Sequence, residues 1–150
     1  MNETAVIPAH RWRDNWRSLT ADGAVRLELS RSRESRRSAL AAVGALAPGS
    51  PVVLSAPAPG AARRCRAFAS AAGIELEREY LAFPTAAAPA YLVEDGPAAV
   101  RFFTTDVLAA PPRTRLSSLI ELGVALLRSL RSWRLVRALA PGRVAVGRRT

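Results

Sequence analysis

Along this chain the spacing of apolar positions changes several times, and each change marks an element. In "GAVRLELS" Val25, Leu27 and Leu29 alternate with Arg26, Glu28 and Ser30, the two-residue period of a half-exposed strand. The next segment, "SRESRRSALAAVGAL", spaces Leu40, Val43 and Leu46 for one face of a helix, with Ser30 or Ser32 as its cap and Pro48-Gly49 as its stop. Pro51 to Ser55, "PVVLS", is apolar without alternation, as a strand covered on both faces requires. Ala61 to Ala72 then sets Ala61, Cys65, Phe68 and Ala72 along one stripe, and Gly73 suits the left-handed position that ends a helix. "IELEREYLAF" alternates again, which predicts Ile74, Leu76 and Tyr80 on one face and Glu75, Glu77 and Glu79 on the other.

Tyr91 to Val93 is a further short strand, followed by a helix that Asp95 or Gly96 caps and Pro97 opens. Its buried side is Val100, Phe103 and Val107, and Pro111-Pro112 stops it. Leu116, Leu119, Ile120, Leu126, Leu127 and Leu130 occupy one helical sector. Continued at the same pitch, that sector would receive Arg134 and Arg137, so a break is expected near Arg131. Ser132 would cap a second short helix with Trp133, Val136 and Leu139, and "PGRVAVGRR" closes as a strand, Arg143 to Gly147. Strands alternating with helices predict an α/β fold, a partial Rossmann-like layered sheet of about four to six strands with flanking helices. Residues 1–20 read as an N-terminal arm, and residues 21–150 as a single α/β domain with a helical insertion at about 97–140.

Composition narrows the chemistry. A chain of 150 residues that is 49% hydrophobic is long enough for one core, and 6% aromatic content makes that core mostly Ala, Leu and Val. All 22 basic residues are arginine, a bias that fits a high-GC genome, and the net charge of +10 favours contact with an anion. Cys65 is the only cysteine, which excludes an internal disulfide and a multi-Cys zinc site, and His10, the only histidine, lies in the arm, where it cannot build a His-based triad or a multi-His metal site. Cys65 reads as a small core residue. Glu75, Glu77 and Glu79 read as a solvated or arginine-paired row. Glu94, Asp95 and Asp106 stand nearest a possible cleft, with capping accounting for Asp95. The start carries no apolar signal segment, so a cytoplasmic setting, with peripheral membrane contact as the variant, is expected.

The passage "ALAPGSPVVLS" resembles the "LkPGG-x-LVLS" passage of class I S-adenosylmethionine-dependent methyltransferases, which there joins the fourth helix to the fifth strand. "SAAGIELEREY" and "GRVAVGRR" follow in the order of that family's "aGF/aGI" strand and terminal strand, and "AVRLELS" stands where its fourth strand stands. The resemblance covers about Gly23 to Thr150. The family seats its cofactor on a glycine-rich loop after the first strand, and no "D/E-x-G-x-G" occurs in this chain. The resemblance therefore implies the back half of such a fold, without its own S-adenosylmethionine loop and either non-catalytic or dependent on a partner for the cofactor. It transfers no catalytic residue. A half-sheet of this kind would leave the Val25–Leu29 strand as an edge, covered by a second copy, another protein or the arm.

Three functional surfaces follow from the residues. Ser55, Gly60, Arg63, Arg64 and Arg66 join a strand end to a helix start and form a candidate site for a phosphate or carboxylate. Pro57 and Pro59 each remove a donor there, which favours plain scaffold. A basic amphipathic face, Arg128, Arg131, Trp133, Arg134 and Arg137, is the candidate for a membrane surface or an assembly partner. Trp12 and Trp16 among arginines form either an arm docked on the body or a partner-binding arm; nucleic acid ranks last as its partner, because no groove-reading or base-stacking motif is present.

Overall fold

The computed structural model describes residues 9–20, 22–107 and 133–150. It forms two compact units, residues 1–92 with 141–150, and residues 93–140. The first is a mixed α/β layer. Its strands are β1 (Val25–Glu28), β2 (Pro51–Pro57), β3 (Ile74–Phe83), β4 (Tyr91–Glu94, where the two units meet in sequence) and β5 (Gly142–Arg149). They lie in the order β1-β2-β5-β3-β4. β1 and β2 are parallel, with Val25 opposite Val52 and Glu28 opposite Ser55. β5 enters antiparallel between β2 and β3, setting Val53 opposite Val146 and Tyr80 opposite Val144.

The helices α1 (Arg33–Gly44) and α2 (Ala61–Ala72) each follow a parallel strand. α1 buries Ala39 and Val43, and α2 buries Ala61, Cys65, Phe68 and Ala69, all against Leu27, Leu29, Val52, Leu54 and Ala56. Burying side chains of this kind contributes about 1.5–3 kcal/mol for each Leu, Val or Phe. Gly73 ends α2 at φ 62°, and its carbonyl accepts from both the amide (2.8 Å) and the hydroxyl (2.9 Å) of Thr150.

The other face of the sheet is covered by the arm. A 3-10 helix, Ala9–Leu19, packs Trp16 and Leu19 onto Val53, Tyr80, Val144 and Val146. This accounts for the unbroken apolar run of β2, because Val52 and Leu54 meet the helices while Val53 meets the arm. Trp16 is thus the docked alternative of the two read for the arm; the side chain of Trp12 lies outside the described residues.

β3 departs from the expected alternation. The pairing with β5 shifts register between Leu76 and Arg78, leaving Glu77 as an extra residue. One inserted residue reverses the facing of everything after it. Ile74 and Leu76 therefore join the helix-side core, whereas Tyr80 and Ala82 join the arm-side core, so the three apolar residues do not share a face. The glutamates are divided in the same way. Gly147 lies opposite Leu76, and a Cβ there would overlap the Glu75 carbonyl oxygen.

In the second unit α3 (Pro97–Phe102) continues into a π-helical turn over Phe103–Val107 and packs with α4 (Trp133–Leu139). Val100, Phe103 and Val136 are among its buried side chains. Gly96, not Asp95, occupies the cap of α3, and no side chain bonds there. Asp95 instead meets Arg137 at 3.0 Å. The expectations on Pro111-Pro112, on the Leu116–Leu130 sector, on Arg128 and Arg131, and on a cap at Ser132 lie outside the described residues.

Candidate functional site

The residues proposed for an anion site do not converge. Ser55 follows Val53 on the arm side of β2, is buried, and its hydroxyl stands 3.5 Å from the Leu27 carbonyl and 3.4 Å from Arg26 Nε. Arg66 forms a bidentate pair with Glu79, Nε to Oε1 at 2.6 Å and Nη2 to Oε2 at 3.0 Å. Glu79 also faces the buried Arg143 at 3.7 Å. This arginine–glutamate–arginine arrangement on the α2 side of the sheet satisfies charge internally, so Arg66 is structural. Glu77 pairs with Arg148 at 2.8 Å. These two glutamates are therefore arginine partners, as one of the two sequence readings had it.

Arg64 turns back on the loop that precedes its helix, donating Nη1 to the Pro59 carbonyl at 2.7 Å and Nη2 to the Pro57 carbonyl. Gly60 stands at φ 76°, which lets the chain enter α2 without a side-chain cap. Arg63 is exposed. Of the five proposed residues, Arg64 lines a cleft.

That cleft, about 280 Å³, lies at the carboxyl ends of the parallel strands β1 and β2, between α1 and α2. Leu29, Ala67 and Phe68 form its apolar wall, and Arg31, Arg36 and Arg64 contribute three guanidinium groups. In open α/β sheets this end of the strands is where ligands bind. Arg31 and Arg36 were not singled out from the sequence. The signal was present, since "SRSRESRR" begins where a parallel strand ends, but the exit point of β1 becomes meaningful only once β2 is known to be its parallel neighbour.

A second residue missed is Arg26. Alternation marks it as solvent-facing, yet its side chain is 12% exposed. It donates Nη1 to the Arg13 carbonyl (2.8 Å) and Nη2 to the carbonyls of Ala86 (2.8 Å) and Ala87 (3.0 Å), pairs with Glu28 at 3.1 Å and faces the Trp16 ring at 5.9 Å. Burial lowers its pKa, while Glu28 and Asp14 act in the opposite direction. Asn15 adds a bond to the Pro89 carbonyl at 2.8 Å. The arm and the β3–β4 connection are thus both fastened to β1 through one guanidinium.

Of the basic face, Arg137 is engaged with Asp95 and lies 5.4 Å from the Trp133 ring, Trp133 is half-buried, and Arg134 is exposed. Among the described residues no helix is long and apolar enough to cross a membrane, and no group of His, Cys, Asp and Glu could hold a metal. Burial, with a smaller contribution from Glu79, pushes the Cys65 thiol up to about 12, so it is a poor nucleophile at neutral pH. Compared with protein-family models, curated proteins and solved structures, the chain has no significant match.

Proposed function

We propose that this chain is a methyltransferase-like α/β half-fold without an S-adenosylmethionine loop of its own, non-catalytic when alone, whose edge strand β1 receives another polypeptide that would complete a cofactor site. The observation that carries this reading is the place of β1. It is the outermost strand, parallel to β2, and its outer edge pairs with no strand among the described residues. An unpaired edge beside a parallel neighbour presents amide and carbonyl groups in the spacing a further strand needs. Among the described residues the arm packs Trp16 and Leu19 on a face of the sheet.

Support also comes from what leaves β1. The connection to α1, Leu29 to Ser32, contains no glycine and carries Arg31. A cofactor cradle built by close backbone approach would have to come from elsewhere. The membrane and nucleic-acid readings lose ground, because Arg137 is held by Asp95 and Trp16 is packed on the sheet.

The experiment is calorimetry with S-adenosylmethionine on the purified chain, alone and mixed with the products of neighbouring genes, with amide exchange followed over residues 25–28. The expected outcome is no binding by the single chain, and slowed exchange at the β1 edge when a partner is captured. Stoichiometric binding of S-adenosylmethionine by a monomer sinks the proposal.

A further inference from the structure

The geometry points to the Arg31–Arg36–Arg64 cleft as a binding site of this chain alone for a small organic anion: a phosphate or carboxylate attached to a compact apolar body, one aromatic ring in size. It is independent of the partner-completed reading above, since every lining residue belongs to residues 1–92.

Charge comes first. Three guanidinium groups from two helices and the β1–α1 connection line one concavity, and no carboxylate lines it with them. Several other arginines stand beside acids: Arg66 and Arg143 beside Glu79, Arg148 beside Glu77, Arg26 beside Glu28, Arg137 beside Asp95. The side chains of Arg31 and Arg36 have no hydrogen-bond or ion-pair partner among the described residues, and both residues are exposed. Like charges gathered this way repel one another, and an anion shared between them reverses the sign of that term.

Arg64 supplies the second, independent observation. The Pro57 and Pro59 carbonyls hold two of its nitrogens, so its plane is fixed before any ligand arrives. Its Nε is enclosed and has no acceptor. A guanidinium held rigidly in this way loses little freedom on binding, which is the advantage of arginine over lysine at a phosphate or carboxylate.

The wall opposite the charges decides the rest of the ligand. Leu29, Ala67 and Phe68 are apolar, and Ala67 is exposed. An inorganic ion would leave that surface facing water, whereas a ring beside it removes apolar area from water. A volume of about 280 Å³ lies at the small end of ligand sites and suits one ring with its anionic group. Arginine takes phosphate and carboxylate alike, so the two share one chemistry here and the test separates them.

The test is titration of the full-length chain, by calorimetry and by amide chemical shifts, with phenyl phosphate, phenylacetate, inorganic phosphate and benzyl alcohol. The expected result is that at least one aryl anion binds about 10-fold more tightly than inorganic phosphate, that benzyl alcohol does not bind, and that shifts gather at Leu29–Arg31 and Ala67–Phe68. The stronger aryl anion names the headgroup. Arg36→Ala should weaken it about 10-fold, the loss of one charge-assisted contact. Arg37→Ala, which removes the same charge from the same helix outside the cleft, should change it less than about 2-fold. Ala67→Glu, at an exposed helix position, should abolish binding while the circular dichroism spectrum is retained. Equal losses in Arg36→Ala and Arg37→Ala would mean a diffuse charge effect and overturn the assignment. So would shifts confined to other segments, inorganic phosphate binding as tightly as both aryl anions, or no binding by any probe.

Discussion

Single residues in this fold are decided by what surrounds them more than by their type. Cys65 ionises in the unfolded chain near its ordinary value of 9.0 and in the folded chain near about 12. Between those values the folded form holds more protons, so the contribution is complete below about pH 9 and declines as pH rises toward about 12. The slope is at most about 1.4 kcal/mol per pH unit. Denaturant titrations at pH 8 and pH 10.5 should show Cys65→Ala losing less stability over that interval than the parent chain. Arg26→Ala should cost about 2–4 kcal/mol, because it removes a mostly buried cation and orphans several carbonyls. Amide exchange would then rise together in residues 13–19 and 86–90, and exchange confined to one of these would show that Arg26 does not join them. Cys65 was legible from its place on an apolar stripe, whereas Arg26 was not, because alternation reports only which way a side chain points.

Elements follow the same logic. β2, α2 and β3 start and end close to where periodicity, Pro48-Gly49 and Gly73 place them, since these signals act within a few residues. The facing of β3 was misread beyond Leu76, because an extra residue at Glu77 is a property of the pairing with β5, some seventy residues away. Arg63, Arg64 and Arg66 sit near the start of α2 as read, but the partners of Arg66 and Arg64, Glu79 on β3 and the Pro57–Pro59 loop, come from other segments. That is why a site argued from neighbours in sequence dissolved, and why another appeared around Arg31 and Arg36. Two glycines make the element-scale prediction. Gly147→Ala would drive a Cβ into the Glu75 carbonyl and should lower stability by about 2–3 kcal/mol. Gly44→Ala, with nothing within 4 Å of the new methyl, should raise it by up to about 1 kcal/mol. Urea midpoints for the two variants on opposite sides of the parent would bear this out.

At the scale of the molecule, the α/β layering was visible in the alternation of strand and helix periods, and the parallel β1–β2 pair with an intervening helix is what that alternation predicts. The strand order was not, since sequence neighbours do not reveal that β5 separates β2 from β3. Removing residues 142–150 should therefore abolish cooperative unfolding altogether, because β5 pairs along most of β2 and β3. A sigmoidal urea transition in the shortened chain would show that the remaining strands close up on one another.

The middle strand of this sheet is also the last one to leave the ribosome. Until Gly142–Arg149 emerge, β2 and β3 each wait with one flank empty, at the stage when nascent chains are most prone to pair with the wrong neighbour. Closing contacts such as Val52 with Gly147 join residues more than half the polypeptide apart, which makes assembly slower than in folds closed by local contacts. Chaperone demand during synthesis, more than fragility once finished, should set the yield of this protein in a cell.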